Sequence, residues 1–364
     1  MIVYTNGVDI SCPRGSVKAW REKPLPGGMH GKPCSGERSR RADVTENGRV
    51  RDPLFSVVIP THARPHQLAD CLNALARQQF PRGAFEVIVV DDGDLLPSQG
   101  PAPRDLDVKV VRQPHAGPAA ARNRGVAHAC GQYLAFVDDD CVPDPGWLAA
   151  LERCLRRHPG ALVGGRVINA LNDNPWSTAS QLLIDFLYDS YTDGGAPRFF
   201  CTNNLALARD AFQNLGGFDR SFRLAAGEDR DFCARWTIAG GVRIYTEEAI
   251  VYHLNARRAA TFCRQHFECG RGAHYFRRRL EPGEGARVRL EPPGFYMRLL
   301  RYPFRAPIGG LENRLAMAAL FAVSQLLTGV GFCTQALRPH RAVPLSRDSP
   351  EARCLAKSRS TEGR

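Results

Sequence analysis

The sequence predicts an α/β protein built around a largely parallel sheet. Short apolar runs suited to buried strands recur at residues 55–60, 85–90, 108–112, 133–137 and 161–167. Stretches of helical period separate most of them, and strands alternating with helices imply parallel pairing through right-handed crossovers. Two of the runs end in carboxylates, Asp91-Asp92 and Asp138-Asp139-Asp140. The carboxyl ends of the strands are where open α/β sheets bind ligands.

Each element follows from its local sequence. Pro60 stops the first strand. A helix over 65–79 puts Leu68, Cys71, Leu72 and Leu75 on one face. The strand at 85–90 leads into Asp91-Asp92-Gly93, and a short strand follows at 108–112. The alanine-rich segment 117–129 reads as a helix opened by Gly117-Pro118, and 133–137 as the strand carrying the triple aspartate. A helix over 145–158 is expected with Asp144 as N-cap and Pro145 at N1. Residues 161–167 form a strand, 170–200 read as irregular and aromatic, and 205–208 resume strand character. A helix over 229–239 precedes Gly240-Gly241 and two short strands, 242–245 and 249–252.

The chain has 364 residues, 43% of them hydrophobic, a net charge of +12 and a pI near 9.4. It is expected to divide into a disordered basic head (1–52), an α/β domain (53–255), a basic helical extension (256–338) and a disordered tail (339–364). The positive charge is concentrated: residues 252–310 hold twelve arginines against four glutamates. Such a balance suits an anionic partner. Twelve cysteines without a C-x-x-C pair exclude the usual zinc-ribbon and thioredoxin patterns and fit a reducing, cytoplasmic compartment. Cys71, Cys130, Cys154 and Cys233 are expected in helices as small core residues. The start of the sequence lacks secretory-signal character. Residues 315–333 carry no charge, making 311–335 a candidate membrane-associated helix, spanning or interfacial. Arg298, Arg301 and Arg305 precede it like charge flanking the cytoplasmic side of a membrane.

The triple aspartate is the strongest chemical signal. Bunched carboxylates repel one another, and a divalent cation is the usual reason to gather them; oxygen ligands favour Mg²⁺ or Mn²⁺. An acidic turn is the plainer alternative. Asp91-Asp92 is placed to accept hydrogen bonds from a base or ribose, or else forms an ordinary turn. Arg122, one turn into its helix, faces either a diphosphate or solvent. Glu228-Asp229 either caps a helix or supplies a general base. His253 is a metal ligand or a structural histidine. No G-x-G-x-x-G follows the first strand and no P-loop occurs, which disfavours dinucleotide dehydrogenases and P-loop enzymes.

Taken in order, FSVVIPTHARP, FEVIVVDDGD, AGPAAARNRG, YLAFVDDDC, GGFD, GEDRDFCARW and VYH resemble the family 2 glycosyltransferases of GT-A fold, from about Phe55 to His253. The resemblance implies an inverting, nucleotide-sugar-dependent hexosyltransferase-type enzyme assisted by Mg²⁺ or Mn²⁺, with a UDP-sugar as expected donor. Pro60, Thr61 and Arg64 match the first loop, near the nucleotide. Asp91 matches the base-binding aspartate, with Asp92 beside it, and Arg122 and Asn123 match the lining of the nucleotide pocket. Asp138 and Asp140 fit the metal-holding D-x-D spacing, with Asp139 toward ribose. The sequence leaves open which of the three touches the metal. Glu228 and Asp229 match the acidic pair supplying the catalytic base, Asp229 being favoured, and His253 matches a histidine that completes the metal site in some relatives. Asp94 stands where relatives commonly have a small hydroxyl residue. No Q-x-x-R-W pattern follows the acidic pair, so a non-processive enzyme is expected.

The expected partners are the nucleotide sugar, a hydroxyl acceptor (glycan, lipid-linked or small molecule) and an anionic membrane surface, with the enzyme peripheral on the cytoplasmic face. Synthesis of cell-surface polysaccharide, glycolipid or a related glycoconjugate is the expected setting. A sugar-phosphate nucleotidyltransferase is the alternative enzyme, although its glycine-rich basic loop is missing. A basic nucleic-acid-binding protein is the alternative binder. The basic stretch lacks a recognised module, so nucleic acid is not an expected partner.

Overall fold

Alternation of side chains along the first strand divides the core into two layers. In β1 (Phe55–Thr61), Phe55, Val57 and Ile59 face one layer and Val58 the other. β2 (Phe85–Asp92) repeats the division, with Val87 and Val89 on one face and Ile88 and Val90 on the other. In this computed structural model, residues 53–96, 103, 106–222, 226–280 and 290–337 are described. The expected head, 1–52, and tail, 339–364, lie outside them.

α1 (Pro65–Ala76) and α3 (Trp147–Arg157) cover the first face of the sheet. α2 (Pro118–Val126) and α4 (Pro175–Ser190) cover the second. The remaining strands are β3 (Val108–Gln113), β4 (Tyr133–Phe136), β5 (Cys141–Pro143), β6 (Leu162–Asn169), β9 (Leu205–Ala208) and β10 (Arg243–His253). The order across the sheet is β3-β2-β1-β4-β9-β6-β10-β5. Pairs among β3, β2, β1 and β4 are parallel, as is β6 with β10; β9 and β5 pair antiparallel. A separate two-stranded ribbon, β7 (Thr192–Asp193) with β8 (Ala196–Pro197), follows α4. The mostly parallel, helix-flanked sheet matches the α/β expectation.

α5 (Arg209–Asn214) and α6 (Glu228–Ile238) pack on the second face. The extension is helical: α7 (Ala259–Leu280), α8 (Pro293–Arg301) and α9 (Leu311–Ala336). α9 agrees with the expected helix at 311–335 and is long and apolar enough to cross a membrane.

Four local expectations need correction. The segment 170–200 is not irregular: α4 occupies sixteen of its residues. Its start is locally specified, because Asn174 Oδ1 accepts from Trp176 N and Ser177 N at 3.0 and 3.1 Å and Pro175 sits in the first turn. The two short strands at 242–252 are one strand, β10, whose register against β6 shifts between Thr246 and Ile250, so a bulge interrupts its apolar pattern. α3 begins at Trp147, with Gly146 as N-cap. Asp144 Oδ1 instead takes Gly146 N at 2.9 Å and closes the turn ahead of the helix. Cys130 lies beyond the end of α2 and is half-buried, because the chain has already turned toward β4.

Candidate active site

Strand pairing explains how the acidic residues meet. The chain leaves β4 at Phe136, passes through Asp138–Asp140, and enters β5, where Cys141 pairs with His253 at the end of β10. The antiparallel pairing brings His253 Nε2 to 3.3 Å from Asp140 Oδ1. The tip of β1 lies beside them and supplies Thr61 and Arg64.

The three aspartates have different partners. Asp138 Oδ1 accepts from Arg122 Nη2 at 2.7 Å. Asp139 is buried; its Oδ2 accepts from Thr61 Oγ1 at 2.7 Å and its Oδ1 from Arg64 Nη1 at 3.2 Å. Burial pushes the Asp139 carboxyl up to about 6, against the pull of Arg64. Asp140 goes the other way. Burial opposes its charge, but His253, Arg64 and Arg257 together hold it at about 2. Asp140 is therefore held ionised more firmly than Asp139.

A divalent ion fits this end of the cluster. Donor atoms of Asp140, Cys141 and His253 lie within 4.8 Å of one another. Cys141 is fully buried and its thiol is pushed well up by burial, which makes it a poor ligand at neutral pH. One carboxylate and one imidazole remain, both partly exposed, leaving the other positions to water and substrate oxygens. Asp138, turned to Arg122, and Asp139, turned to Thr61, sit beside that pair.

At the tip of β2 both carboxylates are engaged. Asp91 is fully buried and takes Leu95 N at 3.1 Å and Leu96 N at 2.8 Å, so it shapes the following loop. Asp92 takes Ala116 N, Gly117 N and Gln113 Nε2 at 2.8 to 2.9 Å, closing the start of α2. Next to them, the rings of His62 and His115 lie 4.4 Å apart at 35°, with His115 Nδ1 3.0 Å from Asp92 Oδ2. Pro60, within β1, is half-buried one residue before Thr61.

Arg122 is neither solvated nor open to a ligand in this state. It is buried, with Nη2 on Asp138 and Nη1 on Glu228 Oε1 at 3.0 Å. It therefore ties the D-x-D turn to the acidic pair. Asn123 likewise braces the structure: its amide donates to Phe218 O at 2.7 Å and accepts from Phe218 N at 2.9 Å, pinning the Gly-Gly-Phe-Asp turn. Substituting Arg122 with Met leaves Asp138 and Glu228 without their shared cation. We expect a loss of about 3–5 kcal/mol, seen as a melting temperature lower by roughly 10 °C. An unchanged melting curve would contradict a structural role for this bridge.

The second acidic pair opens α6. Gly227 adopts φ +98°, a left-handed turn that swings the chain into the helix. Glu228 is buried with Oε2 unpartnered, and burial together with the Asp229 charge pushes its carboxyl up to about 7. Asp229 is only partly buried; its Oδ1 accepts from Arg230 N at 2.7 Å, and desolvation raises its carboxyl too. Carboxylates raised toward neutrality suit proton transfer.

Sequence reading missed Arg257, four residues beyond His253. It contributes positive charge at Asp140, and burial lowers its own affinity for a proton. Its backbone is tethered to α4, with Asn174 Nδ2 on Arg257 O at 2.9 Å. The signal available was the arginine itself, just after the VYH motif. His62 and His115 were also missed, because the pairing of their rings depends on neighbouring loops.

Residues 56–216 match the family described as Glycosyl transferase family 2. Residues 56–216 form a domain of that family. The chain is 29% identical over 235 residues to Glycosyltransferase AglE of Haloferax volcanii, covering 60% of this chain and 73% of that one. It is 31% identical over 208 residues to the succinoglycan biosynthesis protein ExoM of Rhizobium meliloti, covering 54% and 66%. The match spans less than half, 45%, of the pre-mycofactocin glycosyltransferase of Mycobacterium tuberculosis. Among solved structures, the mannosyltransferase PcManGT of Pyrobaculum calidifontis, in complex with GDP-Man and Mn²⁺, superposes with a TM-score of 0.48 at 16% identity. That overlap covers 95% of this chain and 85% of the other.

Proposed function

We propose that this family 2 glycosyltransferase moves a sugar from a nucleoside-diphosphate sugar, a UDP-sugar foremost, to an acceptor hydroxyl with inversion. The observation that carries the reading is the coupling of two acidic centres. Asp140 and His253 form a donor pair at one end, Glu228-Asp229 stand at the other, and Arg122 links them through Asp138.

In the proposed reaction, Asp229 takes the proton from the acceptor hydroxyl. The acceptor oxygen forms a bond to the anomeric carbon as the bond to the diphosphate oxygen breaks, and a single displacement inverts that centre. Asp140 and His253 would hold Mg²⁺ or Mn²⁺, which when bound supplies positive charge for the leaving diphosphate. Arg64 and Arg257 add fixed cations at the same edge. His62 and His115 offer ring faces beside the β2 tip to the base, while Asp91 and Asp92 fix the loops around it. Asp139, Thr61 and Pro60 lie between the base and metal ends, suiting the ribose and first phosphate.

A reducing, cytoplasmic setting agrees with nine cysteines that are all free among the described residues. A role in polysaccharide synthesis draws on the name of the succinoglycan biosynthesis relative.

Calorimetry with UDP, GDP and dTDP, with and without Mn²⁺, tests the donor site directly. Metal-enhanced binding of one nucleoside diphosphate is expected; no binding of any would refute the reading. The acid side of the rate profile offers another check. The base must be ionised, and both carboxyls are raised, so activity falls as pH drops through a midpoint above the ordinary carboxylate range of about 3.9–4.3. That midpoint belongs to the pair rather than to either residue. A profile flat down to ordinary carboxylate values would contradict the assignment.

A further inference from the structure

α9 buries a mixed inner face, with Met317, Phe321 and Phe332 among polar side chains, and exposes an apolar outer one. Its inner face carries Ser324, Gln325, Thr328 and Gln335, all buried, with Ser324 at 0% and Thr328 at 1% exposure. Its outer face carries Leu315 at 53%, Leu326 at 62%, Val330 at 56% and Leu337 at 84%. From Leu315 to Leu337 the helix has no charged residue. Exposed apolar positions recur every three or four residues along about 39 Å of helix, at 1.5 Å per residue. Contiguous apolar surface of this extent marks an interaction face.

The inner face is fixed to the protein. A Cβ placed on Gly270 of α7 would lie 1.8 Å from Thr328 O, and one on Gly331 would lie 2.0 Å from Phe267 O, so α7 and α9 meet backbone to backbone. Arg271 Nε donates to Gln335 Oε1 at 3.0 Å, and Gln335 Nε2 donates to Tyr275 Oη at 3.2 Å. Crossing a bilayer would require α9 to leave these partners or to carry the arginines of α7 into lipid.

α8, which packs against α9, carries exposed apolar and cationic side chains. α8 presents Met297 and Leu300 to solvent beside Arg298 and Arg301, and Phe304 is exposed just beyond. Arg298, Arg301 and Arg198 line a cavity of about 680 Å³ with Met297 and Phe295, against the single carboxylate of Glu291. Apolar side chains bordered by guanidinium groups are complementary to acyl chains beneath anionic phosphates.

We propose that the outer face of α9, continued by Met297, Leu300 and Phe304, docks in the plane of an anionic bilayer. In this arrangement the apolar face enters the acyl boundary, the arginines of α8 meet lipid phosphates, and α9 lies on the membrane rather than spanning it. The inference stands apart from the transferase reading, because vesicle binding requires no turnover.

The test uses the full chain with vesicles of phosphatidylcholine alone or with one quarter phosphatidylglycerol. Co-sedimentation should be at least tenfold stronger with the anionic vesicles, and washing with alkaline carbonate should release the protein. Leu326→Glu with Val330→Glu should lower binding tenfold or more, as should Arg298→Glu with Arg301→Glu. In both variants the melting temperature and the binding of nucleoside diphosphates should stay unchanged. Resistance to carbonate would overturn the in-plane placement. Unaltered binding by the stably folded variants would overturn the assigned face. Failure to bind vesicles, with a dimer that the Leu326/Val330 variant dissociates, would assign the face to a second copy of the chain instead.

Discussion

Asp229→Asn should remove sugar transfer while leaving nucleotide binding in place. Asparagine keeps the shape of the side chain and its acceptor toward Arg230 N, but it cannot take up the acceptor's proton. Loss of a positioned base costs about 10²–10⁴-fold in rate. Affinity for the nucleoside diphosphate should change little. Glu228→Gln should behave differently. Glu228 is buried against Arg122, so its loss disturbs the bridge to Asp138 and lowers stability as well as rate. A variant Asp229→Asn that turns over like the parent would remove Asp229 from the mechanism.

Asp140→Ala and His253→Ala should each abolish the response of donor binding to Mn²⁺. The electrostatic help of a bound divalent ion amounts to several kcal/mol, so turnover should fall on the order of 10³-fold. Asp138→Ala should act mainly through Arg122, which would then face Glu228 alone. The metal response separates the two cases: the Asp140 and His253 variants should lose it, and the Asp138 variant should keep it. Equal metal response in all three variants would contradict the division of roles within the cluster.

Much of the sheet was legible because its strands carry local signals. Runs such as Val57–Ile59 and Val87–Val90 are buried on both faces and read as unbroken apolar stretches. The acidic pairs were legible because they terminate such runs or open a helix. What sequence missed depended on contacts between distant segments. α4 was read as irregular despite its Asn174-Pro175 start, because aromatic residues along it pack into the core from several directions and blur one stripe. The partners of Arg122 lie 16 and 106 residues away, so a lone arginine on an alanine-rich helix gave no hint of a buried bridge. The meeting of His253 with Asp140 likewise depends on the antiparallel pairing of β5 with β10, which three short residues of strand do not announce.

The most direct test of the central claim is turnover of a panel of UDP-, GDP- and dTDP-sugars by the purified chain with Mn²⁺, repeated with EDTA and with Asp140→Ala. The account predicts release of one nucleoside diphosphate that requires the metal and disappears in the variant. Release that is indifferent to EDTA and to Asp140 would contradict it.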